Sequence, residues 1–231
     1  MGANGAGKST IIRSILGLIK KTSGDIKVNN KNIETNEKEV RSNIGYLPSE
    51  CNYYSDMKVK DILKYSQKLY KKDNISIEEL ANKLKLDLTK KIDDLSYGNK
   101  KKVGIVDAIL SDGDIYIFDE PTGGLNPLIQ EEFLKIIEDL KLKGKTIIYS
   151  AHVLSEVKRL CDRVCIIKDG KIIKVEEISD INEMKLKHVI LKVRNEEKIN
   201  IEGAMDIKYE KNNITFSYTG YINKLMSELG K

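Results

Sequence analysis

The sequence lacks several features that would assign it to particular protein classes. No apolar run approaches the roughly 18 residues of a membrane-spanning segment, so no transmembrane helix is predicted. Only three of the 231 residues are cysteines, Cys51, Cys161 and Cys165, and they lack the spacing of a metal site. We expect them to be reduced thiols that pack within the fold rather than a disulfide or a ligand pair.

A strong charge of one sign is also missing. The chain has 40 basic and 35 acidic residues, and its net charge of +5 is too small to indicate nucleic-acid binding. The lysines are scattered rather than gathered with aromatic residues into one patch, so no nucleic-acid partner is expected. Lysine-rich stretches such as NKKK at residues 99–102 are predicted to be solvated surface.

The first ten residues, MGANGAGKST, contain the pattern G-x-x-x-x-G-K-S from Gly2 to Ser9. Glycines let successive backbone N–H groups turn inward and form a nest for phosphate oxygens. Lys8 adds a positive charge, Ser9 offers a hydroxyl to Mg²⁺, and the apolar spacing that follows predicts a helix whose N-terminus faces the anion. A chance match is expected in only about one chain of this size in a hundred. The predicted nucleotide-binding residues of this stretch are Asn4, Gly5, Ala6, Gly7, Lys8, Ser9 and Thr10.

The stretch IYIFDE predicts the second half of a nucleotide site. Its four apolar residues indicate a strand buried on both faces, which brings Asp119 and Glu120 to the carboxyl edge of a parallel sheet. Asp119 is predicted to hold Mg²⁺, and Glu120 is predicted to orient the attacking water as a catalytic residue. The alternative is a strand that simply ends in acidic surface residues. The glycine-rich loop makes the hydrolytic site the favoured interpretation.

Strands and helices alternate along most of the chain, which predicts an α/β fold with a mostly parallel sheet. Helices are predicted over Val59–Tyr70 and Ile77–Leu86 from their apolar spacing. Beyond about Asp162, a hairpin, RVCIIKDGKIIKV, is followed by short strands in HVILKVRN, KINIEG and NITFSYTG and by a helical stretch, YINKLMSEL. We therefore predict one domain over residues 1–177 and a small α+β appendage over residues 178–231.

Five motifs occur in the order and rough spacing of the ATP-binding subunit of ABC transporters: GANGAGKST, IGYLP, LSYGN, IFDEPTGGLNP and SAH. The chain resembles that family from Gly2 to about Lys174, and LSYGN is the most discriminating motif because it resembles the family signature LSGGQ. The likeness is greatest to subunits of bacterial ABC-2 type drug and antibiotic exporters. It implies a P-loop NTPase fold of the ABC ATPase type, with antiparallel and helical subdomains beside the parallel sheet.

The resemblance also implies roles for further residues. Ser96 and Gly98 are expected to contact the γ-phosphate of ATP bound to a second subunit, and His152 is expected to contact the γ-phosphate and Glu120. From the residues alone, Ser96 is interpreted as a helix N-cap and His152 as a structural residue. The implied cofactors are ATP and Mg²⁺. The implied partners are a second ATPase subunit and a membrane-spanning subunit, which places the chain peripherally at the cytoplasmic face of the membrane.

Three positions depart from the family pattern. Ser49 stands where the family has a Gln that touches Mg²⁺, Asn126 replaces an Asp in the inter-subunit loop Leu125–Pro127, and Tyr97 replaces a Gly of the signature. These departures favour slower hydrolysis or an asymmetric partner subunit. The family also has strands before the phosphate loop and usually a longer C-terminal appendage, so we expect a chain truncated at the N-terminus and at the C-terminus that folds and binds ATP weakly.

Three functional interpretations follow. The leading one is an ATP-hydrolysing subunit that energises export or import through a separate membrane-spanning subunit, with the membrane contact around residues 49–57. The departures and the missing strand favour a catalytically weak or regulatory ABC-type subunit, or a non-functional fragment. The third is an ABC-type ATPase without a transporter, which typically carries paired cassettes or coiled-coil insertions. The presence of Lys8, Asp119, Glu120 and His152 favours the first interpretation.

Overall fold

The structure is a computed structural model that describes residues 1–183, 187–193, 201–202, 204–210, 213–218 and 222–229. The residues group into two units. The first unit consists of Met1–Cys161 with Cys165–Lys174, and the second consists of Asp162–Val164 with Val175–Lys231. The functional division between residues 177 and 178 stays a prediction.

The first unit contains most of the secondary structure. Its helices are α1 (Lys8–Ile15), α2 (Glu37–Ser42), α3 (Val59–Tyr70), α4 (Ile77–Lys83), α5 (Tyr97–Leu110), α6 (Pro127–Leu142) and α7 (Leu154–Leu160). Its strands are β1 (Lys27–Val28), β2 (Lys31–Asn32), β3 (Ile44–Leu47), β4 (Ile115–Asp119) and β5 (Thr146–Ser150). Two further strands, β6 (Arg163–Lys168) and β7 (Lys171–Glu177), pair with each other and contribute residues to both units.

A three-stranded parallel sheet in the order β3-β4-β5 positions the acidic residues at the end of β4. The register pairs Leu47 with Phe118 and Asp119 with Ser150, so the carboxyl ends of the strands meet at one edge. The sequence explains this topology, because a strand with apolar residues on both faces is stable only when helices cover both sides of the sheet.

The core of the first unit lies on the two faces of this sheet. Tyr116 and Phe118 of β4 face a large cluster built mainly from α3, α4, α5 and α6, in which Phe118 packs edge-to-face on Phe133 with ring centroids 5.3 Å apart. Ile115 and Ile117 face a smaller cluster that includes residues of α1 and α2. Successive side chains of β4 therefore enter different clusters, as the two-residue period of a strand requires.

The structure confirms α3 over the predicted residues and shortens α4. Instead of ending at Leu86, α4 ends at Lys83, because Lys85 adopts a left-handed backbone conformation with φ 50°. The amide of Leu86 then donates to the carbonyl oxygen of Ala81 at 2.8 Å, which closes the helix end. The helix α2 was not predicted, since six residues with a single buried apolar side chain, Val40, give little periodicity.

The prediction that NKKK is solvated surface was wrong for two of its lysines. Lys101 and Lys102 are only 1% and 9% exposed. They belong to α5, which is buried along much of its length, and their ammonium groups reach backbone carbonyl oxygens of other segments. Tertiary packing of the helix therefore overrides the polarity of this stretch.

The second unit contains an antiparallel sheet in the order β8-β10-β9, formed by β8 (Lys187–Lys192), β9 (Ala204–Glu210) and β10 (Asn213–Tyr218). Its helices are α8 (Ile178–Glu183) and α9 (Ile222–Leu229). One hydrophobic cluster of this unit consists of the buried residues Ile201, Ile214, Phe216, Tyr218 and Leu225. The strand predicted over KINIEG falls largely outside the described residues, and β9 and α8 were not predicted.

Two predicted absences can be compared with the structure. None of the helices among the described residues is long and apolar enough to cross a membrane. Cys51, Cys161 and Cys165 are half-buried and form no disulfide, and Cys51 and Cys161 pack against the larger core cluster. The prediction of packing thiols is confirmed for these two.

Candidate functional site

The glycine-rich loop enters α1 through two residues with left-handed backbone conformations. Gly5 has φ 79° and Gly7 has φ 99°, which side chains with a Cβ rarely adopt. Gly7 is the N-cap of α1, so the loop geometry fixes where the helix begins. N–H groups in the first turn of a helix lack partners within the helix, and they favour an anion at this end. Of the predicted residues, Asn4, Gly5 and Thr10 are exposed, Gly7 and Ser9 are half-buried, and Ala6 and Lys8 are buried.

The β6–β7 pair holds this loop in place. The amide of Ile167 donates to the carbonyl oxygen of Met1 at 2.8 Å, and the amide of Gly170 donates to that of Ala6 at 3.0 Å. A Cβ on Gly2 would lie 2.4 Å from the carbonyl oxygen of Ile167, so only glycine fits there. The loop is therefore fixed at both ends by backbone contacts with another segment of the first unit.

Lys8 joins the loop to the end of β4. Its Nζ donates to the carbonyl oxygens of Gly2 and Ala3 at 3.0 and 3.1 Å, and it lies 3.2 Å from Oε1 of Glu120. The Lys8 side chain is 6% exposed and that of Glu120 is 31% exposed, so the ion pair joins a buried cation to a carboxylate that solvent can reach. The structure thus brings together two residues that are 112 positions apart in the sequence.

The carboxylate of Asp119 is unusual because it is buried without hydrogen-bond partners among the described residues. The residue is fully buried, and neither carboxylate oxygen has a hydrogen-bond partner among the described residues. The hydroxyl of its register partner Ser150 is also buried without a partner in the described part of the chain. A buried charge without a partner costs several kcal/mol, on the order of the desolvation penalty of an ion, so this pair of polar groups fits a cation.

The donor set also fits Mg²⁺ in particular. The described residues contain no group of three or more His, Cys, Asp or Glu side chains that could hold a metal ion by themselves. Mg²⁺ is usually held by one or two carboxylates together with waters and substrate phosphates, so it needs no such cage. Asp119 and the hydroxyl of Ser9, the second residue of α1, are suited to this kind of binding.

Glu120 has a strained backbone at the end of β4. Its φ of 48° is uncommon for a residue other than glycine, and strain of this kind often marks a functional residue. Its amide donates to the carbonyl oxygen of Ser150 at 3.1 Å, which ties it to the end of β5. His152 follows two residues later and is exposed at the bend after β5. Both predicted catalytic residues, Glu120 and His152, therefore lie next to the end of β5.

Ser96 and Gly98 lie at the N-terminus of α5. The Ser96 hydroxyl accepts a hydrogen bond from the amide of Asn99 at 3.4 Å, so the residue is an N-cap, and it is exposed. A Cβ on Gly98 would lie 2.3 Å from the carbonyl oxygen of Gly124, which leaves no room for a side chain. The contact of Gly98 is with the loop after β4, and the exposed side chain of Ser96 leaves this helix end accessible to a further group.

Two of the departures from the family pattern have clear structural roles. The Asn126 side chain accepts a hydrogen bond from the amide of Ile129 at 3.0 Å and caps α6, a role that Asp also fills well. Tyr97 packs its ring against Gly124 and donates its hydroxyl to the carbonyl oxygen of Ser49 at 3.2 Å.

The sequence reasoning missed two polar groups of α5. Lys101 donates to two backbone carbonyl oxygens beyond β3, and Asp107 accepts a hydrogen bond from the hydroxyl of Tyr53 at 3.1 Å. Burial raises the pKa of Asp107, and hydrogen bonds act in the opposite direction. The signal for Asp107 was present, because a single carboxylate within the apolar run VGIVDAIL indicates a buried polar contact.

Comparison with known proteins decides the family. The sequence matches the family described as ABC transporter over residues 1–123. It is 42% identical over 187 residues to an ABC transporter ATP-binding protein of Methanocaldococcus jannaschii, which covers 78% of this chain and 67% of that protein. The chain belongs to the ABC transporter family. The bacitracin transport ATP-binding protein BcrA of Bacillus licheniformis is 33% identical over 245 residues, and the match covers 100% of this chain and 80% of that protein.

A solved structure supports the same assignment. The structure of an ATP-binding subunit of an ABC transporter has a TM-score of 0.71 and 31% sequence identity, and the match covers 79% of this chain and 78% of that chain. The fold is thus that of an ABC ATPase, a P-loop NTPase with a parallel sheet. This ABC protein is an ATP-binding subunit whose enzymatic activity is ATP hydrolysis that energises transport. The roles of its individual site residues stay predictions.

Proposed function

We propose that this ABC subunit binds ATP together with Mg²⁺ between the glycine-rich loop and the ends of β4 and β5, and that Glu120 is the catalytic base. The observation that carries the proposal is the ion pair between Lys8 and Glu120, with the partnerless carboxylate of Asp119 one residue away. Metal-assisted phosphoryl transfer needs a cation for the phosphates, a carboxylate for the metal and a group that orients water. The two halves of the sequence supply all three.

The phosphates are received by the loop. Backbone N–H groups around Gly5 and Gly7 and the N-terminus of α1 form the anion nest, and Lys8 supplies a point charge. Asn4, Ala6, Ser9 and Thr10 complete the predicted contacts. Ser9 and Asp119 would hold Mg²⁺, which when bound neutralises charge on the phosphate oxygens. Asp119 is the last residue of β4, and the burial of this strand fixes the position of Asp119.

Glu120 acts on the water. As the water oxygen bonds to the γ-phosphorus, the bond from that phosphorus to the oxygen of the leaving ADP breaks, and the Glu120 carboxylate accepts a proton from the water. The left-handed backbone of Glu120 follows directly after the last residue of β4. Lys8 must leave Glu120 to serve the phosphates, which frees the carboxylate to accept that proton. His152, exposed beyond β5, is the second predicted catalytic residue and would contact the γ-phosphate and Glu120.

The proposed working unit is a dimer of ATPase subunits joined to a membrane-spanning subunit. Ser96 and Gly98 are placed at an exposed helix N-terminus, which suits contact with the γ-phosphate of ATP bound to the other subunit. The peripheral position at the cytoplasmic face of the membrane follows from such a partner. The bacitracin transport protein supports the proposal of a drug or antibiotic transporter.

The test is steady-state ATP hydrolysis with Mg²⁺ by the wild type and by Glu120→Gln. We expect Glu120→Gln to lose about 100-fold or more of kcat, since general base catalysis contributes factors of this size, while ATP still binds. Glu34→Gln, which changes an exposed carboxylate after β2, is the matched control and is expected to match the wild type. Equal kcat in all three proteins would overturn the proposed role of Glu120.

A further inference from the structure

The segment that leaves β3 is attached to α5 by side chains that the proposed chemistry does not use. We call residues Pro48–Glu50 the β3 exit segment. Nζ of Lys101 donates to the carbonyl oxygens of Pro48 and Ser49 at 3.1 and 2.6 Å. Lys101 is 1% exposed, so this ammonium group lies inside the protein and donates hydrogen bonds to backbone oxygens.

Tyr97, one helical turn before Lys101, reaches the same carbonyl group. Its hydroxyl donates to the carbonyl oxygen of Ser49 at 3.2 Å. Residues four apart lie on one face of a helix, so both side chains approach the segment from the same side. The carbonyl of Ser49 therefore receives two donors from α5.

Burying the ammonium group of Lys101 between two segments has a large desolvation cost. Burial lowers the pKa of Lys101, while the nearby Asp119 and Glu120 act to raise it. A buried ammonium group is tolerated when its hydrogen bonds are made, and those bonds are directional and charge-assisted. An apolar side chain of the same length would fill the space but would leave the segment free to shift.

We propose that Lys101 and Tyr97 are positioning residues for ATP hydrolysis, which hold the β3 exit segment and the N-terminal turns of α5 as one body. This inference rests on the proposed function. The exit segment starts directly after Leu47, whose register partner Phe118 precedes Asp119 and Glu120. The same turns of α5 carry Ser96 and contact the loop after β4 at Gly124. A shift of one part therefore displaces the others.

The chain provides a matched control for Lys101. Lys102 is also buried in α5, and its Nζ donates to the carbonyl oxygen of Lys85 at 3.2 Å, on a different segment. Each variant, Lys101→Met or Lys102→Met, removes one buried ammonium group and its hydrogen bonds to the backbone of another segment, two bonds for Lys101 and one for Lys102. We expect Lys101→Met to lower kcat about tenfold with KM for ATP within about twofold, because misplacement of reacting groups costs rate more than binding. Lys102→Met is expected to keep kcat.

Two further variants separate positioning from stability. Lys101→Arg keeps a charged donor and is expected to recover most of kcat, which a loss of packing would not allow. Tyr97→Phe keeps the ring against Gly124 and removes only the hydroxyl. We expect kcat to fall about threefold, which corresponds to the net free energy of one hydrogen bond. The combined loss in Tyr97→Phe with Lys101→Met should differ from the product of the single losses, since both donors share one carbonyl.

Hydrogen exchange of the amides in residues 49–53 gives a readout that does not depend on turnover. We expect faster exchange there in Lys101→Met than in Lys102→Met. Equal kcat and equal exchange in the two variants, with a fully active wild type, would overturn this inference alone. A wild type that fails to hydrolyse ATP would overturn the proposed function. If Lys101→Met does not fold, an unchanged kcat in Tyr97→Phe and in Lys101→Arg would overturn the inference.

Discussion

Nζ of Lys8 lies 3.2 Å from Oε1 of Glu120, so the cation of the glycine-rich loop meets the carboxylate that follows β4. Two motifs that lie far apart in the sequence are therefore in direct contact in the structure. Lys8 is placed by the glycine that caps α1, and Glu120 is placed by the parallel register of β4 with β5. The proposed chemistry depends on this contact between Lys8 and Glu120.

Lys8→Met should weaken ATP binding by about 10- to 100-fold, the size of a lost charge-assisted hydrogen bond. The variant keeps the length of the side chain and removes its charge. Titration of a fluorescent ATP analogue measures the dissociation constant. Lys21→Met, which removes a lysine paired with Glu34, is the control and should bind ATP like the wild type. Equal affinity in the two variants would contradict the role given to Lys8.

Asp119→Asn should have opposite effects with and without ligand. In EDTA the substitution removes a buried charge without a hydrogen-bond partner among the described residues, so we expect stability to rise by about 1–3 kcal/mol. With Mg²⁺ and ATP the wild type should gain more stability than the variant, because the variant loses a metal ligand. Thermal unfolding under both conditions checks this. Parallel changes in the two proteins would argue against a metal site at Asp119.

Ser96 can be tested for a role beyond capping. Asp is as good an N-cap as Ser, so Ser96→Asp should keep the stability of the wild type. Its negative charge should nevertheless repel the γ-phosphate of the second subunit and abolish ATP-dependent dimer formation in a Glu120→Gln background. Sedimentation with ATP measures the dimer. A dimer that forms normally with Ser96→Asp would leave Ser96 as an N-cap only.

The stability of the fold should depend on the ionisation of Asp107. Burial raises the pKa of Asp107 above its ordinary value of 3.8, so the carboxyl group is protonated more readily in the folded state than in the unfolded chain. This contribution to stability is complete below the ordinary pKa and is lost as the pH rises through the raised pKa. Asp107→Asn, which stays neutral, should therefore lose less stability than the wild type between about pH 4 and pH 7. Urea unfolding at both pH values decides, and identical pH dependence would contradict this account.

The sequence was sufficient to predict the parts of the site that depend on local patterns. Apolar spacing placed α3 over Val59–Tyr70 as the structure has it, and a buried strand ending in two carboxylates predicted the end of β4. The sequence could not show that Lys101 is buried, because nothing in NKKK distinguishes a lysine that faces solvent from one that faces a carbonyl oxygen.

The contact between Tyr97 and Ser49 could not be predicted either. The two residues are 48 positions apart, and their meeting depends on how α5 packs against β3. The family pattern marked both residues as departures, yet it treated them as independent. The structure shows that they touch, which is why we interpret them together.

The most direct test of the central claim is an experimental structure of Glu120→Gln with ATP and Mg²⁺. We predict that Nζ of Lys8 leaves the carbonyl oxygens of Gly2 and Ala3 for the phosphates, and that Mg²⁺ lies between Ser9, Asp119 and the nucleotide. A structure in which Lys8 keeps its two carbonyl partners, while the nucleotide lies away from the glycine-rich loop, would contradict the account.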